Sequence, residues 1–166
     1  MSDLDKDWDC EGIASFLGSF VSEVRTLWGE NAIGAIVFRI GQKPAQLVAK
    51  NILKRYSKSE DEPLESPGAA FSLLENSLGQ LFHVEVVAQE DSDKETVVRI
   101  KNRCCLRRVV ASREDLKFGS TLCKFAAGYF ETALKILTGL EVEYIHRSEE
   151  GDACLVDLRF RKKSLV

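Results

Sequence analysis

The chain has 166 residues, of which 45% are hydrophobic and 30% charged, with a formal net charge of −3. That size and balance fit one folded domain and speak against a disordered or fibrous chain and against two ordinary domains with a linker. The slight net acidity gives no electrostatic case for nucleic acid.

The opening MSDLDKDWD carries four aspartates and lacks the basic end and apolar centre of a secretory signal, so residues 1–10 are expected to be an acidic, flexible N-terminus of a cytoplasmic protein. From Ile13 onward, Phe16, Leu17, Phe20, Val21, Val24, Leu27 and Trp28 recur at offsets of three and four, one face of an amphipathic helix. Residues 32–40 are apolar nearly all round and read as a buried helix, far short of the roughly 18 residues of a membrane span. Gly41 and Pro44 are expected to bend or stop it before a further helical stretch to about Tyr56.

The polar run SKSEDEPLESP is a loop that ends on Ser66 as a cap and Pro67 as a first helical residue. The short helix that follows points Phe71, Leu74 and Leu78 inward and ends near Gly79. Residues 81–88 and 95–106 then change period; rich in Val, Ile and Phe and separated by QEDSDK, they read as a β-hairpin. Ser112 with Asp115 resembles a capped turn, residues 122–137 a helix stopped by Gly139, and residues 140–145 and 155–160 a last strand pair. The expected architecture is a single α+β domain with helices packed on one face of a small antiparallel sheet.

Residues 101–117 hold six basic residues against two acidic ones, without aromatics interleaved for base stacking, and read as a solvated loop and strand face. His83, alternating with Glu85, reads as exposed. The chain has no Gly-rich phosphate loop and no Gly-x-Ser-x-Gly elbow, so a non-enzymatic role is expected.

Five cysteines in a reducing compartment argue against a disulfide framework. Cys10 lies near the terminus; Cys104 and Cys105 are adjacent and on a strand would face opposite ways, one buried and one more exposed. The segment EYIHRSEEGDAC gathers Glu143, His146 and Cys154 around a polar turn, RSEEGDA. Glu143 and His146 are three apart, so on a regular strand they point to opposite faces and can share a metal only where the strand curls. Cys123, at the start of a helix whose dipole favours a thiolate, is the candidate fourth ligand. Two thiolates, one imidazole and one carboxylate suit a closed, structural zinc site; ordinary buried Cys and a surface His remain the alternative.

The segment LCKFAAGYFETALKILTGLEVEYIHRSEEGDACLVDL resembles the C-terminal half of 4-vinyl reductase-type domains, a family that includes archaeal hydrocarbon-binding proteins and the sensor domains of aromatic-responsive transcription activators. Its pattern is a Cys five residues before Gly-Tyr, then Glu-x-x-Cys, seven residues and Cys. Here Cys123 precedes Gly128 and Tyr129, Glu143 and Cys154 hold the outer positions, and His146 stands where the middle Cys is usual. Upstream, GENAIGAIVFRIGQKPAQLVAKNIL is similar to the family's helix-Gly-helix entry, so the resemblance spans roughly residues 25–160. It implies zinc at Cys123, Glu143, His146 and Cys154, a homodimer, and a pocket for a hydrophobic or aromatic small molecule, with Phe16, Phe20, Phe71, Phe125 and Tyr129 as candidate lining residues. A sensor of this kind would pass its signal to a separate output partner. The fold is also similar to that of the small subunits of TRAPP tethering complexes, which implies an alternative role in assembly through protein–protein contacts.

Overall fold

A computed structural model describes the backbone of residues 3–59, 62–64, 66–79 and 81–162, and the side chains of these except residues 3–11, 13 and 14. Its elements run α1 (Asp3–Trp28), α2 (Glu30–Arg55), α3 (Pro67–Glu75), β1 (Phe82–Asp91), β2 (Glu95–Cys104), α4 (Arg107–Ala111), α5 (Lys124–Thr138), β3 (Glu141–Glu150) and β4 (Ala153–Arg161). The four strands form one antiparallel sheet in the order β1-β2-β4-β3, with both hairpins contributing a central strand. The α+β expectation therefore holds. Among the described residues no helix is long and apolar enough to cross a membrane.

Helix α1 runs from Asp3, ahead of the apolar periodicity that begins at Ile13. Gly29, at φ 83°, separates α1 from α2 in a conformation costly for other residues. Helix α2 runs unbroken through Pro44. The proline removes one backbone hydrogen bond, but Gly41, Ala45 and Ala49 bury the same face against α5 and hold the helix across the gap. That helix is also less buried than its composition suggests. Ile33, Val37, Ile52 and Leu53 turn inward while Ile36, Ile40 and Leu47 remain exposed.

Helix α3 begins as expected, with Ser66 Oγ accepting from Ala69 N at 3.4 Å and Pro67 leading the first turn. Helix α5 ends at Gly139 in the left-handed region, φ 67°. Two features differ from the sequence reading. Arg107–Ala111 forms the short helix α4, and residues 147–150 continue β3, so the turn is only Gly151 and Asp152.

The strand alternation sorts the sheet into two faces. Phe82, Val84, Val98, Ile100, Val142, Tyr144, Val156, Leu158 and Phe160 meet α2, α3 and α5 in the main core. A second cluster, around Val21, Ile33, Val37, Val109, Val110 and Leu122, joins α1 to the α4 region. The outer face carries charge, centred on Asp157, which is buried to 1% exposure beneath Arg99 (Nε to Oδ1, 2.8 Å) and Arg147 (Nε to Oδ2, 2.7 Å).

Candidate functional site

Helix α5 (KFAAGYFETALKILT) lies across the inner sheet face and meets α2 at two glycines. A Cβ on Gly128 would overlap the Phe38 carbonyl oxygen and lie 2.9 Å from its carbon; one on Gly41 would overlap the Phe125 carbonyl. The bare backbone contact fixes α5 at a depth that drives Tyr129 and Phe130 onto the sheet. Phe82 receives them, with ring centroids 5.1 Å from Tyr129, 4.9 Å from Phe130 and 6.1 Å from Phe125, and Phe130 stacks on Tyr144 at 5.8 Å. These separations lie in the favourable range for offset and edge-to-face aromatic pairs.

One polar pair interrupts this apolar interior. Asn102 continues the inward phase of Val98 and Ile100 on β2 and is 1% exposed. Its Nδ2 donates to Tyr144 Oη at 3.2 Å, and its Oδ1 is buried without a hydrogen-bond partner. Burial pushes the Tyr144 phenol far up, so it stays neutral. Tyr144 also lines a cleft of about 510 Å³ between the 117–127 region and β3, whose walls are mixed: Phe118, Ala127 and Ile145 beside Cys123 and His146, with Lys117, Lys124, Ser120 and Glu143 at its edges.

Four thiols surround this end of the core. Cys104 hydrogen-bonds Cys105, which lowers the Cys105 thiol to about 7, while the same bond and burial raise Cys104. Cys123 flanks the start of α5 as expected, but burial outweighs the Gly119 backbone hydrogen bond and raises its thiol. Cys154 is likewise raised by burial, although Arg107 Nη1 donates to its Sγ at 2.9 Å. Arg107 also donates from Nη2 to Gly151 O at 2.7 Å and stacks over Phe118 at 4.5 Å. A guanidinium thus ties α4 to the last hairpin. Three other basic residues of 101–117 are paired too, Lys101 with Glu150, Arg103 with Asp152 and Arg113 with Asp115.

This ordering predicts selective alkylation. With Cys10 replaced by Ser, iodoacetamide at pH 7 should label Cys105 first, with a rate that rises through pH 7 as the thiolate forms. Peptide mapping checks it. Earlier labelling of Cys123 or Cys154 would contradict the assignment.

The four proposed zinc ligands are distributed as follows. Cys154 lies close enough to Cys123 to help raise its thiol, and His146 faces inward on β3 against Gly119. Glu143 pairs with Arg159 on the outer face, where its Oε2 accepts from Arg161 Nη2 at 3.0 Å and Arg159 Nη1 at 3.5 Å. The β-bulge between His146 and Ser148 lies beyond Glu143 and leaves it on the outer face; it sets Glu149 opposite Cys154 instead, largely exposed, with Oε1 3.5 Å from His146 Nε2 and no hydrogen bond. Among the described residues no three or more His, Cys, Asp or Glu side chains are arranged to hold a metal ion. As folded here, the quartet does not fit tetrahedral zinc.

The candidate lining residues also divide. Phe71, Phe125 and Tyr129 belong to the main core. Phe16 and Phe20 stack on each other at 6.4 Å on the outward face of α1, Phe16 being 71% exposed. Asn102, Tyr144, Phe82 and Phe130 were not singled out as site residues. The available signal was a polar Asn at an apolar-phase position of β2.

No protein-family model matches the chain, and no curated protein does. Solved structures do. The phenol-responsive sensory domain of the transcription activator PoxR, crystallised with phenol, matches with TM-score 0.64 and 17% identity over 89% of this chain and 74% of that one. A trafficking protein particle complex subunit 3 from Naegleria fowleri, covalently bound to palmitic acid, matches with TM-score 0.61 and 14% identity over 93% of this chain and 96% of that one. The chain shares the fold of both.

Proposed function

We propose that this chain is a cytoplasmic small-molecule-binding domain of the 4-vinyl reductase sensor type, non-enzymatic, accepting a hydrophobic or aromatic ligand between α5 and the inner face of the sheet. The observation that carries the reading is the aromatic cluster of Phe82, Phe125, Tyr129, Phe130 and Tyr144, whose outermost member, Tyr144, bonds the buried Asn102 amide and borders a cleft. Ligand sites combine apolar walls with a few placed polar groups of this kind. The fold shared with a phenol-responsive domain supports the same reading. Native mass spectrometry of freshly purified protein tests it: a co-purifying apolar mass of one molecule per chain supports it, and a bare chain that gains no aromatic compound on incubation opposes it.

The second reading, assembly through protein contacts, is favoured by the outward face of α1 and α2. Phe16, Phe20, Leu27 and Trp28 on α1 and Ile36, Ile40 and Leu47 on α2 are all exposed, more apolar surface than a monomer usually leaves in water. In the sensor reading this face pairs two copies and offers a separate output partner its contact. Phe20→Glu with Trp28→Glu should convert a dimer into a monomer by light scattering while leaving the helical signal intact; an unchanged mass would remove this face from the account.

A zinc clasp at Cys123, Glu143, His146 and Cys154 would require Glu143 to leave Arg159 and Arg161 and Arg107 to release Cys154. Elemental analysis of protein purified without added metal decides it. One zinc per chain supports the clasp, and folded metal-free protein removes it.

A further inference from the structure

We infer that the cleft between residues 117–127 and β3 binds an organic acid, with Lys117 and Lys124 as the groups that recognise its carboxylate; this rests on the small-molecule reading above and names the ligand's polar end. The cleft, of about 510 Å³, has room for a one-ring compound, and Phe118, Ala127, Ile145 and Tyr144 give it an apolar wall. Most of its polar groups are already committed. Ser120 spends its hydroxyl hydrogen on Lys117 O at 2.5 Å, and Tyr144 Oη accepts from Asn102 Nδ2. Glu143 holds its carboxylate toward Arg161 and Arg159, and His146 Nε2 is buried beside Glu149, 3.5 Å from its Oε1.

Two ammonium groups are left over. Lys117 and Lys124 are exposed, both border the cleft, and neither has a salt-bridge partner among the described residues. Glu131 feels the Lys124 charge, but burial raises its carboxyl and its Oε1 is taken by Tyr144 N at 2.9 Å. Flexible four-carbon stems let the two cations converge on an anion that enters between them. Cations at the mouth of an apolar-walled cleft complement an amphipathic anion. Its ring or alkyl body lies against Phe118, Ala127 and Ile145, while its carboxylate stays at the mouth and avoids the cost of full burial. A neutral ligand gains nothing from the lysines, and a small anion gains nothing from the wall. The chain's net charge of −3 does not attract anions as a whole, so the recognition is local and sensitive to salt.

The test titrates benzoate, benzamide and acetate by calorimetry at pH 7 into the wild-type protein and the Lys117→Gln, Lys124→Gln double variant, at low and high salt. The wild type should bind benzoate about tenfold or more tightly than benzamide, which has the ring without the charge, and than acetate, which has the charge without the ring. An exposed ion pair is worth about threefold in affinity, so the double variant should lose about tenfold for benzoate. It should keep its benzamide affinity and the wild-type melting temperature, and salt should weaken benzoate binding in the wild type alone. Benzamide bound as tightly as benzoate, or a double variant with undiminished benzoate affinity, overturns the inference and leaves the small-molecule reading standing. Acetate bound as tightly as benzoate also overturns it, since the lysines would then act without the cleft. Binding of neither ring compound overturns both readings. Should the double variant not fold, the wild-type ratio of benzoate to benzamide still decides.

Discussion

Gly128→Val is expected to leave the protein unfolded, and Gly128→Ala to lower its stability by about 3 kcal/mol or more. Overpacking in a core costs roughly 1–3 kcal/mol when side chains can shift, and here the first obstacle is backbone. A Cβ on Gly128 meets the carbonyl of Phe38 inside α2, and α2 cannot retreat without uncovering Ala45 and Ala49. At about 2–4 °C per kcal/mol for a domain of this size, Gly128→Ala should lower the melting temperature by roughly 6–12 °C. The control is Gly12→Ala, where the new methyl meets nothing within 4 Å at an exposed position of α1. Helix propensity alone should make that change neutral or stabilising by up to about 1 kcal/mol. Equal melting temperatures for the two variants would contradict the close α2/α5 crossing.

The second large effect concerns Asp157, at 1% exposure among the charges of the outer sheet face. Burial alone would raise its carboxyl, but hydrogen bonds from Arg99 and Arg147 outweigh it and hold the carboxyl below the usual carboxylate range. Asp157→Leu leaves both guanidiniums without their acceptor, and breaking a buried ion pair costs about 3–5 kcal/mol. Arg99 and Arg147 are partly solvated, so about 3 kcal/mol is the expected loss at pH 7. The sign of the pH dependence follows from the depressed value. A carboxyl whose folded pKa lies below its unfolded pKa contributes stability above about pH 4, and that contribution is lost as pH falls through the folded value. Urea melts of the wild type should therefore weaken more steeply below pH 4 than those of Asp157→Leu. Parallel curves would mean that Asp157 is solvated in the folded protein.

Much of the fold was legible in the sequence because periodicity and punctuation agreed there. Ser66 and Pro67 open α3, Gly139 closes α5, and the alternation in residues 81–106 yields a real hairpin. The misreadings came from non-local contacts. Pro44 is carried through α2 by the packing against α5, a contact between segments more than eighty positions apart, and α4 owes its place to Arg107 reaching the last hairpin. At the candidate site, Cys123, Phe125 and Tyr129 were found, because they lie at the start and along the apolar face of one helix. Glu143 was drawn into a metal quartet because spacing along a chain does not reveal which face of a strand a residue occupies; the pairing with Arg159 across β4 decides that. Asn102 escaped notice for a related reason. Its meaning depends on its lying inward beneath α5, which only the sheet register makes plain.

The central claim is that the space between α5 and the sheet takes up a small apolar molecule. Methyl-resolved NMR during a phenol titration tests it most directly, since Ile100, Ala126, Ala133 and Val156 report from the main core and Ile36, Ile40 and Leu47 from the outward face of α2. Saturable shifts at the core methyls, with the α2 surface methyls unmoved, are the predicted result. Shifts confined to the surface methyls, or none at millimolar phenol, would contradict it.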